Sequence, residues 1–243
     1  MEQFSPSQVI VLIACRVAPL FLGATISPLS KLPGFVRVVI VLILSLGIYL
    51  GLQTPVTASN ALPVAVVAEL TIGCCFALII YGAFIATQFW GRVVDMQMGF
   101  GAAGVMVPSS KTMESITGTV VALGLTTFFF ITGGHALLLQ VLVKSIDIFP
   151  LGQFSAWLLP SVLAKFWGSV FLTAMMLFAP VMVLLWCIDC MVGIVSKTMP
   201  QVNIYFVTLP LKIALGMFAF AMMLPMGLSV FERLMAQMFE QLT

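Results

Sequence analysis

Six long apolar stretches, at about 9–28, 35–53, 62–91, 116–143, 162–188 and 204–231, take up most of the chain's 243 residues. A helix needs roughly 20 apolar residues to cross the hydrocarbon of a bilayer, and each stretch is near or above that length. In lipid the backbone must satisfy its own hydrogen bonds, which helices do and open strands do not. About a quarter of a soluble domain is charged, because water has to solvate its surface; here 7% of residues are charged and 62% are hydrophobic. The pattern predicts an all-α, multi-helix integral membrane protein with about six long apolar helices in a single domain over 1–243.

The breaks between stretches are marked by proline and polar residues. Pro28 and Pro33 bound the first, and the second runs from Thr54 to Pro63. The fourth, Lys144 to Ser161, holds Pro150, Gly152 and Pro160, and the fifth, Asp189 to Asn203, contains Ser196-Lys197-Thr198-Met199-Pro200-Gln201. The third, Arg92 to Ser115, differs in kind. It includes Met96, Gln97, Met98, Gly99, Phe100, Gly101, Gly104, Val105, Met106 and Pro108, and is rich in glycine yet apolar. Non-helical backbone at membrane depth is tolerated only where it is buried in protein or lines a cavity, and this loop is expected to do one or the other. Its methionines supply pliable apolar surface.

Short loops rich in lysine and arginine stay in the cytoplasm. With six crossings, loops one, three and five carry Lys31, Arg37, Arg92, Lys111 and Lys197, against Lys144 and Arg233 on the other side. This places the odd loops in the cytoplasm and both termini outside. No lysine or arginine precedes Arg16, so no cleavable signal peptide is expected and the first helix inserts itself. A net charge of +2 without a basic stripe argues against nucleic-acid binding. All five cysteines lie in apolar segments, which is no disulfide framework.

Arg16, Glu69, Lys165, Asp189 and Lys212 are the ionisable groups inside apolar segments. Such groups are expensive in a membrane unless paired or watered. One reading is an ion or proton path, as in a secondary transporter using Glu69 and Asp189. The other is pairing between helices or subunits, and it fits better, because Glu69 is alone in its stretch and the two halves show none of the symmetry common in transporters. His135, the sole histidine, has no cysteine or carboxylate pattern around it, so helix packing is expected of it, not metal binding. Cys187 and Cys190 have C-x-x-C spacing but end an apolar run without the exposed helix start that redox pairs use. No nucleophile–base pair, metal cluster or nucleotide loop is present, so neither catalysis nor a cofactor is expected.

Several motifs together resemble the FliR/SctT family of type III export-gate proteins. Pro200-Gln201-Val202-Asn203-Ile204, followed by Pro210-Leu211-Lys212 and Gly216, is similar to that family's C-terminal signature. Gln97-Met98-Gly99, Gly134-His135 before leucines, and Ser145, Pro150 and Gly152 are closer to the flagellar branch than to the injectisome branch. Arg16, Pro28, Pro33 and Arg37 fall where the family has an arginine and a proline-bounded loop, and Glu69-Leu70 with Gly73 where its third segment begins. The likeness extends over about residues 9 to 240, in the family's order. One departure is Val107 before Pro108, where the family usually has an acid.

The resemblance implies a gate subunit that conducts unfolded flagellar proteins across the bacterial inner membrane. It would assemble with FliP-like and FliQ-like subunits, and with FlhA- and FlhB-like export proteins, in the flagellar basal body. Part of that gate projects to the periplasmic side. It further implies a FliP-like portion over about 1–190 and a contribution of about 190–243 to a FliQ-like C-terminal hairpin that begins near 160. Met96, Met98, Gly99, Phe100, Gly101, Gly104, Val105 and Met106 would plug the pore. Arg16, Arg37, Glu69, Gln97, His135, Pro200, Gln201, Asn203, Pro210 and Lys212 would serve structure and assembly. The injectisome branch, exporting virulence effectors, is the alternative within the family.

Overall fold

The computed structural model describes residues 5–23, 32–51, 61–100, 115–152, 160–198 and 204–240. Every regular element among them is helical: α1 Pro6–Leu22, α2 Gly34–Gly51, α3 Leu62–Met98, α4 Ile116–Ile131, α5 Gly134–Ile148, α6 Pro160–Thr198, α7 Ile204–Met226 and α8 Leu228–Glu240. The chain is thus all-α. Each of the six apolar stretches is helical over most of its described residues.

The element ends differ from the sequence expectation in four places. α3 runs through Arg92 to Met98 and α6 runs through Asp189 to Thr198. Single charged residues do not end a helix when they find partners, and Asp95 and Asp189 both do. The fourth stretch is two helices, α4 and α5, bent by 70° at Thr132 and Gly133. Gly133 has φ +76°, a left-handed turn that glycine adopts without steric cost. The sixth stretch breaks at Gly227, between α7 and α8.

Four helices among the described residues are long and apolar enough to cross a membrane: Gly34–Gly51, Leu62–Met98, Leu163–Thr198 and Thr208–Pro225. The bent α4–α5 pair would make a fifth, and α1 is a shorter apolar helix. At 1.5 Å per residue α3 and α6 are about 55 Å or more in length, well beyond a hydrocarbon core of about 30 Å.

The chain divides into two compact units: Met1–Gly82, Thr126–Gly168 and Gln237–Thr243 in the first, Ala83–Leu125 and Ser169–Ala236 in the second. In the first, Val9, Leu12, Ile13 and Val17 of α1 pack with Val41, Ala65, Ile146 and Leu151. In the second, Val94, Met98, Val121, Leu125, Phe178 and Leu185 are fully buried. There Trp90 Nε1 donates to the Phe171 carbonyl at 3.0 Å, and the rings of Phe89, Trp90 and Phe171 pack edge-on or tilted against one another. α2 is largely uncovered, with Phe35 79% and Leu50 74% exposed, so its outer face needs lipid or another apolar surface.

Candidate functional site

The last turn of α3 carries Gln97 and Met98 and ends at Gly99. All three residues meet one face of α7, formed by Leu209, Lys212 and Gly216 at helical spacing. Met98 is fully buried and fills the space beside Gly216, where an added Cβ would stand 2.9 Å from Met98 Cε. Gly99 lies against Leu209, and its φ of +93° suits glycine. Lys212 Nζ approaches the Gln97 carbonyl at 3.5 Å and forms an ion pair with Asp189 of α6. Two of the motifs behind the family resemblance, 115 residues apart in sequence, are therefore one junction in space.

The same helix end holds a second arrangement. Asp95 Oδ2 accepts from Ser115 Oγ and from the Ile116 amide, each at 2.7 Å. Asp95 Oδ1 accepts from Thr117 Oγ1 at 2.7 Å and from the Thr117 amide at 3.3 Å. The carboxylate caps the free amides at the start of α4 and offsets that helix's positive end. One turn earlier α3 and α4 cross at two glycines, where a Cβ on Gly91 would lie 2.2 Å from Gly118 Cα. The residues on either side of 101–114 are thus both fastened to the last two turns of α3.

In the first unit, Arg16 and Glu69 form a dry node, with side chains 1% and 0% exposed. Arg16 Nε donates to Glu69 Oε2 at 2.5 Å and Nη2 to Oε1 at 3.1 Å. The same guanidinium donates to the Ser145 carbonyl at 3.0 Å and the Phe149 carbonyl at 2.9 Å, at the C-terminal end of α5, where helix carbonyls are open to partners from outside the helix. Glu69 Oε1 also accepts from the Gly152 amide at 2.8 Å. A Cβ on Gly73 would lie 2.2 Å from the Arg16 carbonyl oxygen, so a bare backbone one turn after Glu69 lets α1 come close enough for the pair to form.

The remaining expected residues are dispersed. Arg37 Nε donates to the Leu32 carbonyl at 3.1 Å and Nη1 to the Leu22 carbonyl at 3.5 Å, tying the two sides of the proline-bounded loop. His135 is exposed and stacks at 5.6 Å on Phe130. Met96 is 66% exposed and Phe100 half-buried. Pro210 lies inside α7. Gly101, Gly104, Val105, Met106, Pro200, Gln201 and Asn203 lie outside the described residues. By sequence Asp95 falls in the break after the third stretch, which leaves Glu69 as that stretch's single acid; the structure puts both on α3. Ser115, just ahead of an apolar run, is a helix-start signal that pointed to the cap. Nothing local pointed to its partner.

The family described as "Bacterial export proteins, family 1" matches residues 8–238. The flagellar biosynthetic protein FliR of Bacillus subtilis is 32% identical over 152 residues, 61% of this chain and 59% of that protein's length. FliR of Escherichia coli is 26% identical over 194 residues, 78% of this chain and 73% of that protein. Yop proteins translocation protein T of Yersinia pestis is 27% identical over 146 residues, 55% of this chain and 54% of that protein. The matched span covers both units, the Arg16–Glu69 node and the α3–α7 junction, and the chain belongs to the bacterial export proteins, family 1.

Proposed function

We propose that this protein is a FliR-type subunit of a flagellar type III export gate in the bacterial inner membrane. With FliP-like and FliQ-like subunits it forms the channel for unfolded flagellar proteins, alongside FlhA- and FlhB-like export proteins in the basal body. The observation that carries the reading is the junction of Gln97-Met98-Gly99 with Lys212 and Gly216, which lies inside the family match and joins two of its motifs in one place. The similarity to FliR proteins covers more of the chain than that to the Yersinia translocation protein, and this favours the flagellar branch. α3 and α6 exceed a bilayer's thickness, which supports a gate that projects to the periplasmic side. The exposed apolar faces of α2, α6 and α7 fit subunits that pack on partners as well as on lipid.

Within this reading, the glycine-rich segment from Gly99 to Met106, which follows the packed last turn of α3, closes the pore at rest. Its composition supports this: apolar side chains exclude water from a constriction, and hydrophobic constrictions gate by dewetting. The gate itself is tested by co-expression. Alone, the chain is expected to be poorly stable, and with FliP-like and FliQ-like subunits it should give a detergent-resistant complex. A well-behaved monomer that ignores both partners on a sizing column contradicts the proposal.

A further inference from the structure

We infer that Lys212 is the positioning residue for the last turn of α3, supplying from α7 the cation which that helix end lacks. A helix C-terminus presents free carbonyls and a partial negative charge, and favours a nearby cation. α3 has no basic residue in its last turn. It has an acid there instead, Asp95, whose carboxylate is turned to the start of α4. The Gln97 carbonyl is left facing Lys212 Nζ at 3.5 Å.

Lys212 has what a positioning group needs. Its side chain is 17% exposed, so its charge is held out of bulk solvent, and Asp189, 47% exposed, neutralises it from the neighbouring helix. Two apolar contacts bracket it on the same face of α7: Leu209 against Gly99 on one side, and the Gly216 notch filled by Met98 on the other. These contacts fix the lateral position of the turn, and the ammonium fixes its end. The two ion pairs differ accordingly. Arg16–Glu69 is sealed, and its arginine also binds two carbonyls; Asp189–Lys212 is a single partly wet contact, whose strength depends on what lies beside it. Under the export-gate reading, on which its functional consequence rests, this junction sets where the chain leaves α3 at Gly99.

The test measures a distance within this chain and therefore stands apart from whether an export complex forms. Spin labels are placed at Met96→Cys and Met217→Cys, both exposed positions of the second unit. The exposed Cys74, Cys187 and Cys190 are replaced by alanine, and the full-length protein is read in whatever membrane assembly it enters. The parent protein and Lys212→Arg should each give one narrow distance, because both keep a cation at the helix end. Lys212→Met should lose it and give a broad distribution. The charge swap Asp189→Lys with Lys212→Asp is the decisive variant. It restores an acid–base pair but puts a carboxylate next to the Gln97 carbonyl. Protein yield should recover relative to Lys212→Met while the distance stays broad. A narrow distance in the swap, or in Lys212→Met, overturns the assignment and leaves Lys212 a partner of Asp189 only.

Discussion

Gly91 of α3 and Gly118 of α4 cross with so little space that a Cβ on the first would stand 2.2 Å from the Cα of the second. The backbones themselves are in contact, so neither helix can yield by moving a side chain. Four residues on, Asp95 caps the same α4, and the cap geometry depends on this approach. Gly91→Ala and Gly118→Ala should each destabilise the protein by about 1–3 kcal/mol or more, the usual cost of overpacking. A thermal melt of the solubilised protein checks this, and an unchanged midpoint in both variants contradicts the crossing.

The cap itself gives a second expectation. Asp95→Ala removes the acceptor for two amides and two hydroxyls at the start of α4, and losing an N-cap costs about 0.5–2 kcal/mol. Asp95→Asn keeps one oxygen acceptor and should lose less. Hydrogen exchange at the Ile116 and Thr117 amides reads the effect locally, and should quicken in the order Asp, Asn, Ala. Equal protection in all three would mean that the carboxylate is not what holds α4.

Removing one partner of a buried ion pair costs about 3–5 kcal/mol, so Glu69→Gln and Arg16→Met should each lower the yield of assembled protein. In many proteins an apolar double replacement restores such a loss. It should not do so here, because Arg16 also serves the Ser145 and Phe149 carbonyls and Glu69 serves the Gly152 amide. Arg16→Met with Glu69→Leu takes a hydrogen bond from each of these three groups, and its yield should stay near that of the single variants. Full recovery in the double variant would reduce the node to a simple pair. Normal yield in Glu69→Gln with sharply pH-dependent transport would instead favour a proton path.

The fold was legible where the physics is local. Long apolar runs have to be helices in lipid, and the described residues of the six stretches are helical apart from short turns such as those at Gly133 and Gly227. Helix ends were less legible, since a charge reads as a boundary when its partner is far away in sequence. Arg92 and Asp95 looked like loop, and Asp189 like the start of a turn, because Ser115, Thr117 and Lys212 are contributed by other helices. The motif residues Gln97, Met98, Gly99, Lys212 and Gly216 were visible one by one. Their meeting depends on how α3 lies along α7, which no window of sequence contains. The pairing of Arg16 with Glu69 was equally hidden, although burying either group alone is costly enough to require a partner.

We propose that this chain helps to build a protein-conducting channel closed at rest by its own apolar segment. The most direct measurement is the ion conductance of the assembled gate in vesicles, with and without Phe100→Ser and Met106→Ser together. Serine keeps the segment's length but admits water, so the variant should assemble normally and make the vesicles leaky to ions, while the parent gate stays tight. A variant complex that forms in normal yield and keeps the membrane sealed would mean that this segment does not close the pore.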